Sequence, residues 1–224
     1  MLKPRKRLTK RQMKEDKLVT TYFKVMDYVN QNSKVVSGIG IGIVAVIMVT
    51  MLFIRSKRNA ELSASQELTR ASVELATNNE EKAVDILRSM IENYSGTRNA
   101  KTGIFYLANI YYNQGKYDEA LTYFKKYIDA NSNNIILSSS AYSGAGACLE
   151  QQKEYLEAAQ YYQKGAEKYA EHFEAPGQLM SAARCFTLAN NKIEAQKLYQ
   201  KVVANYPKSM HKRTAELYLS ELQG

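Results

Sequence analysis

Side chains able to do chemistry are scarce in this chain. Its 224 residues include two His, His172 and His211, and two Cys, Cys148 and Cys185. A four-ligand zinc site drawn from Cys and His alone would need all of them. No G-x-S-x-G, H-E-x-x-H, P-loop or C-x-x-C sequence occurs. Carboxylates do cluster, as Glu80, Glu81, Asp118 and Glu119. Each pair stands just before an Ala at the start of an expected helix, where acids are favoured by the helix dipole. Gly40, Gly42 and Ala45 fit the dinucleotide fingerprint G-x-G-x-x-A. That fingerprint needs a strand before it and a βαβ unit around it, and here it lies inside an apolar run. The expectation is a protein that is not an enzyme, with no catalytic residues, no metal, no cofactor and no small-molecule substrate.

The composition points to helices. Hydrophobic residues make up 45% and charged residues 24%, which fits a folded chain rather than a disordered one. Three Pro and eleven Gly leave little material for the many turns of a β sandwich. The net charge of +9 is unevenly placed. Residues 1–58 hold thirteen Lys and Arg against three acids, while residues 59–224 hold eighteen bases against nineteen acids. A nucleic-acid-binding domain carries its positive charge on its own folded surface, so nucleic acid is not an expected partner. Fifteen of the seventeen Tyr lie after residue 58. Most fall on recurring apolar positions, which suits core packing better than base stacking.

Val35 to Ile54 is twenty residues without a charge, VVSGIGIGIVAVIMVTMLFI. At about 1.5 Å per residue they span roughly 30 Å, a bilayer core. The leader is long for a signal peptide, and Arg55, Lys57 and Arg58 stand where a cleavage motif would be. The expectation is an uncleaved transmembrane helix over 35–54, a basic tail over 1–34 and a linker over 55–61. The bases of the tail, among them Lys3, Arg5, Lys6, Arg7, Lys10 and Arg11, favour an N-terminus in the cytoplasm. Leu18, Tyr22, Met26 and Val29 share one helical face. That stretch reads either as a helix lying on the cytoplasmic leaflet or as one continuing into the span. Gly38 and Gly42 form G-x-x-x-G, a spacing that lets two membrane helices pack as a homodimer. The plainer account is that Gly is common in membrane helices.

After the span the chain repeats. Four segments superimpose at Ala83, Ala120, Ala158 and Ala195, spaced by 37, 38 and 37 residues. Four positions on come Leu87, Phe124, Tyr162 and Tyr199. Small pairs precede three of them, Leu107-Ala108, Ala145-Gly146 and Ala182-Ala183, followed by Tyr111, Leu149 and Phe186. A period of this length marks a solenoid, and apolar spacings of three to four residues broken at Gly115 mark paired helices.

These residues resemble the tetratricopeptide repeat family. The second unit fits best, through Leu107, Ala108, Tyr111, Gly115, Tyr117, Ala120 and Phe124. The units exceed the family's 34 residues, with the surplus near 131–139 and 169–177. The resemblance implies an all-α fold: one transmembrane helix, then a solenoid over 62–224. Its hairpins would cover about 64–96, 101–134, 139–172 and 176–208, with a capping helix at 209–222. It also implies a partner-binding concave groove lined by the first helices. The family's groove positions fall on Phe105, Asn109, Tyr112 and Asn113, then Ser143, Glu150 and Gln151, then Met180, Arg184 and Thr187. Arg184 is offered there as a partner for an acidic group. The architecture is similar to bacterial inner-membrane tetratricopeptide proteins that face the periplasm, including the ancillary subunit of the Sec translocon. The function so implied is a membrane-anchored scaffold or chaperone-like holder of a protein or extended peptide. A fixed subunit of a membrane assembly and an organelle-anchored receptor with cytosolic repeats are the alternatives.

Overall fold

The computed structural model describes residues 10–130 and 132–223. Lys3, Arg5, Lys6 and Arg7 of the basic tail lie outside them. Among the described residues all regular structure is helical, in ten helices. The chain divides into two compact units, Met1–Ser56 and Lys57–Gly224.

The first unit holds α1 (Lys10–Gln31) and residues 33–56 of α2 (Ser33–Ala76). Asn32 separates the two helices, and its side-chain amide donates to the Tyr28 carbonyl at 3.0 Å. α2 is long and apolar enough to cross a membrane, and none of its apolar window is buried. The two hydroxyls of its uncharged stretch, residues 35–54, are satisfied inside the helix: Ser37 donates to the Lys34 carbonyl at 3.0 Å and Thr50 to the Val46 carbonyl at 2.6 Å. Such a segment needs no water to complete its hydrogen bonds. Residues 55–61, expected to be a linker, are helical turns of α2. The physical reason is that no Gly or Pro occurs between Ile54 and Ala76 to break the helix.

The second unit is the solenoid. Residues 57–76 of α2 share a core cluster with α3 (Glu80–Asn93) and are tied to it by the Lys82–Glu74 ion pair, while α4 (Arg98–Asn113) pairs with α5 (Tyr117–Asp129), and α6 (Ile135–Gln151) with α7 (Tyr155–Lys168). Then α8 (Ala175–Leu188) pairs with α9 (Lys192–Asn205), and α10 (Lys212–Gln223) packs on α9 as the cap. From α3 onward each helix packs on the next. Ala83, Ala120, Ala158 and Ala195 are all fully buried near the start of a second helix. They leave room for the large residues one turn later. Gly146 has the same use: a Cβ there would sit 2.9 Å from the Tyr162 ring.

One turn is used four times. Asn78, Gly115, Lys153 and Asn190 have positive φ, between 58° and 73°. After each, the next amide (Asn79, Lys116, Glu154, Asn191) donates at 2.8–2.9 Å to the carbonyl of Glu74, Tyr111, Leu149 or Phe186. This is the Schellman ending, which reverses the chain while satisfying the last carbonyls of a helix. The bulky residues read from the sequence as Tyr111, Leu149 and Phe186 therefore also fix the turn register.

Adjacent units are tied by side chains. Glu61 of α2 accepts the Arg98 and Asn99 amides at 2.9 and 3.1 Å, so it caps α4 from the preceding unit. Gln114 donates to Glu80 at 2.9 Å and Gln152, its equivalent one unit later, to Asp118 at 2.7 Å. The acids before the repeat Ala residues thus do more than complement the helix dipole; they also receive the glutamine that closes the next first helix.

Candidate functional site

A groove with a volume of about 1580 Å³ opens along the first helices of three successive units. α4 contributes Phe105, Asn109 and Tyr112; α6 contributes Ser140, Ser143, Gly144 and Ala147; α8 contributes Gln178 and Ser181. Phe124 and Tyr162, from second helices, complete the aromatic floor. The walls are the joints 170–174 and 205–211.

Of the positions expected from sequence, Phe105, Asn109, Tyr112 and Ser143 line this groove. Phe105 serves two purposes: it packs edge-on against Phe124 and Tyr127, with ring centroids 5.9 and 5.6 Å apart, and its remaining surface faces the groove. Asn109 commits its amide nitrogen to the Phe105 carbonyl at 2.8 Å. Burial pushes the Tyr112 hydroxyl above the usual tyrosine value, with a hydrogen bond to Gln151 opposing it. Ser143 accepts a 2.7 Å hydrogen bond from Gln178.

Asn113, Glu150, Gln151, Met180, Arg184 and Thr187 are not among the lining residues. Asn113 and Gln151 are exposed at the ends of their helices. Met180 packs against the core beneath α7–α9. Thr187 donates to the Ala183 carbonyl at 3.0 Å. Arg184 is already committed, because it forms a two-pronged ion pair with Glu150 of the preceding unit. That guanidinium holds the Glu150 carboxyl below the usual range, against the opposing effect of burial. Tyr162 donates to the same carboxylate at 3.3 Å. In the first unit, an added Cβ at Gly38 or Gly42 would meet nothing within 4 Å.

The joints are what the sequence reading missed. His172, Phe173, Glu174, Lys208, Met210 and His211 all line the groove. The signal was present in the surplus of residues at 169–177, because material added between a second helix and the next first helix falls at the groove wall. The His172 side chain is 11% exposed, and its Nδ1 lies 3.8 Å from Glu174 without a hydrogen bond. Glu174 instead accepts from Ser140 at 3.2 Å. Among the described residues no three His, Cys, Asp or Glu come together in a way that would hold a metal ion. Cys148 and Cys185 are free and buried, and burial pushes each thiol up to about 12. Aromatic rings and hydroxyls line the floor of the groove, and Glu171, His172, Glu174, Lys208 and His211 stand along its walls.

Comparisons with known proteins agree on the fold. Two models of the tetratricopeptide repeat match, over residues 105–172 and 179–209. No curated protein sequence matches the chain. Solved structures do. A tetratricopeptide repeat protein from Parabacteroides merdae superimposes with a TM-score of 0.59 at 18% identity, over 73% of this chain and 61% of its own. A double mutant of MamA from strain RS-1 gives 0.55 at 16% identity, over 71% and 82%. MamA from residue 41 onward, from Desulfovibrio magneticus RS-1, gives 0.52 at 17% identity, over 71% and 93%. At such identities the likeness is one of fold. Residues 105–172 and 179–209 match the tetratricopeptide repeat, and the buried alanines and four equivalent turns carry the same repeating fold through the solenoid.

Proposed function

We propose that the chain is a membrane-anchored interaction protein whose groove holds an extended segment of a partner protein. Tetratricopeptide repeats are protein–protein interaction modules, and the observation that carries the reading here is the open groove across α4, α6 and α8. The unburied apolar stretch of α2, with both hydroxyls bonded inside the helix, supports the anchor. The bases of the tail support a cytoplasmic N-terminus. The solenoid then stands at the outer face of a bacterial inner membrane and holds envelope or secreted proteins, at the translocon or another complex of that membrane. Gly38 and Gly42 present an open face on which two anchors would pair.

The test is crosslinking in native membranes followed by mass spectrometry. Tyr112→Ala is expected to weaken partner capture while circular dichroism stays unchanged. Arg184→Ala is expected to leave capture intact, because Arg184 already serves Glu150. Undiminished capture by a folded Tyr112→Ala protein would move the interface off the groove. One stoichiometric partner rather than many clients would favour a fixed subunit. Protease added to spheroplasts is expected to digest the solenoid; digestion only after lysis would place it in the cytoplasm.

A further inference from the structure

α1 carries an apolar face that belongs to no core. Leu18, Val19, Tyr22, Phe23, Val25 and Met26 are between 47% and 67% exposed, and none of them joins a core cluster. Tyr22 and Phe23 meet edge-on, with ring centroids 5.8 Å apart. At about 100° per residue the six side chains fall within an arc of about 160° of the helix surface. Lys17, Lys24 and Asp27 lie outside that arc. Single exposed apolar residues are ordinary, but a continuous face of them marks a contact surface.

The helix is interrupted at Asn32. The Tyr28 carbonyl accepts both the Asn32 backbone amide and its side-chain amide, each at 3.0 Å. The Asn32 carbonyl in turn accepts the Val35 and Val36 amides, both at 2.9 Å. Asn32 therefore ends α1 and caps α2. We propose that α1 lies along the bilayer surface on the side of the N-terminal tail, with its apolar face at the acyl-chain boundary, its lysines held by anionic lipid headgroups, and Asn32 as the corner between it and the span. This rests on the reading of α2 as a membrane anchor.

Chain continuity names the occupant of the face. α1 ends at Gln31 and the uncharged stretch begins at Val35. Four residues reach at most about 14 Å even when fully extended, and the polar layer on each side of a bilayer core is roughly 5–8 Å thick. The end of α1 is thus held at the headgroups. The uncharged stretch fills a bilayer core by itself, so α1 is not needed inside it. Charge agrees: residues 1–34 hold ten Lys and Arg against three acids, and a basic segment beside a span is drawn to anionic lipid. A second copy is the weaker occupant. Leu18, Tyr22, Val25 and Val29 do keep a heptad spacing, but two heptads fall short of the three or four that sustain a coiled coil. Val19, Phe23 and Met26 would also be left outside so narrow a seam, whereas a lipid surface covers the whole arc.

The chain has no Trp, so one introduced Trp reports its own depth through quenching by lipids brominated along their acyl chains. The full chain is reconstituted in vesicles of phosphatidylcholine with about one third phosphatidylglycerol. Tyr22→Trp is expected to be quenched by shallow bromines at least about twofold more than Tyr28→Trp, which lies outside the apolar arc. Lys17→Glu with Lys24→Glu should lower the quenching at position 22 at least about twofold, and so should vesicles of phosphatidylcholine alone. Ile47→Trp, in the middle of the span, should be quenched by the deepest bromines. No quenching at position 22, equal quenching at 22 and 28, or indifference to either charge change would overturn the proposal. Quenching at position 22 that rises on dilution into excess lipid would mark shielding by a second copy and overturn it too. If position 47 is quenched and position 22 is not, the anchor reading survives without a surface helix. If neither is quenched, both readings fail.

Discussion

Arg184 on α8 pairs through both guanidinium nitrogens with Glu150 on α6, joining two first helices 34 residues apart in sequence. The pair sits beside the groove, and it converts two residues offered by the sequence as partner contacts into a strut between units. Tyr162 and Cys185 point at the same carboxylate, the latter at 3.6 Å.

The strut makes stability depend on acid. Glu150 has a lowered pKa in the folded chain because of Arg184. Its contribution is therefore present above the unfolded value of about 4.3 and is lost as pH falls through the folded value. Nearly half of the Arg184 side chain is exposed, so the contribution at neutral pH is at most about 1 kcal/mol. Glu150→Gln should lower the thermal midpoint slightly at neutral pH and lose less than the parent on acidification. Parallel midpoint-against-pH curves for the two proteins would remove the strut from the account.

Lys153 occupies the turn position that Gly115 and two asparagines hold in the other units. Its φ of 65° is costly for a side chain with a full Cβ. The cost of the left-handed region is about 1–2 kcal/mol for such a residue. Lys153→Gly should therefore stabilise the solenoid, by about 1 kcal/mol once the greater freedom of the unfolded glycine is set against it. Gly115→Ala should destabilise by a similar amount. Urea titrations measure both, and a Lys153→Gly midpoint at or below that of the parent would contradict the turn assignment.

Cys148 and Cys185 hold equivalent places in adjacent units, and each is fully buried with its thiol pushed up to about 12. In the unfolded chain they ionise near 8.5. The folded state thus keeps protons that the unfolded state releases, and stability should decline as pH rises above about 8.5. Both thiols should resist a disulfide reagent until the chain unfolds. Rapid labelling of the native protein, or a bridge between the two in its mass spectrum, would show the packing to be otherwise.

Ala158 is fully buried where α7 meets its neighbours. Ala158→Phe should cost about 1–3 kcal/mol through overpacking. An unchanged melt of the variant would mean that the repeat register is misplaced.

Much of this protein was legible in the order of its residues. The alanine period, the bulky residue before each turn and the uncharged stretch over 35–54 are local signals. A helical hairpin that cannot bury its own apolar face dictates stacking wherever the pattern recurs. Phe105, Asn109, Tyr112 and Ser143 were reachable on the same basis, because groove positions follow from which face of a first helix is left over. The tertiary structure alone decided the rest. Whether Arg184 stands free or bonds Glu150 depends on how two units are set side by side, and no pattern within either unit encodes that distance. The surplus residues at 169–177 were countable in the sequence. Only the packing of α7 against α8 decides that they form the groove wall and leave Phe173 exposed beside His172.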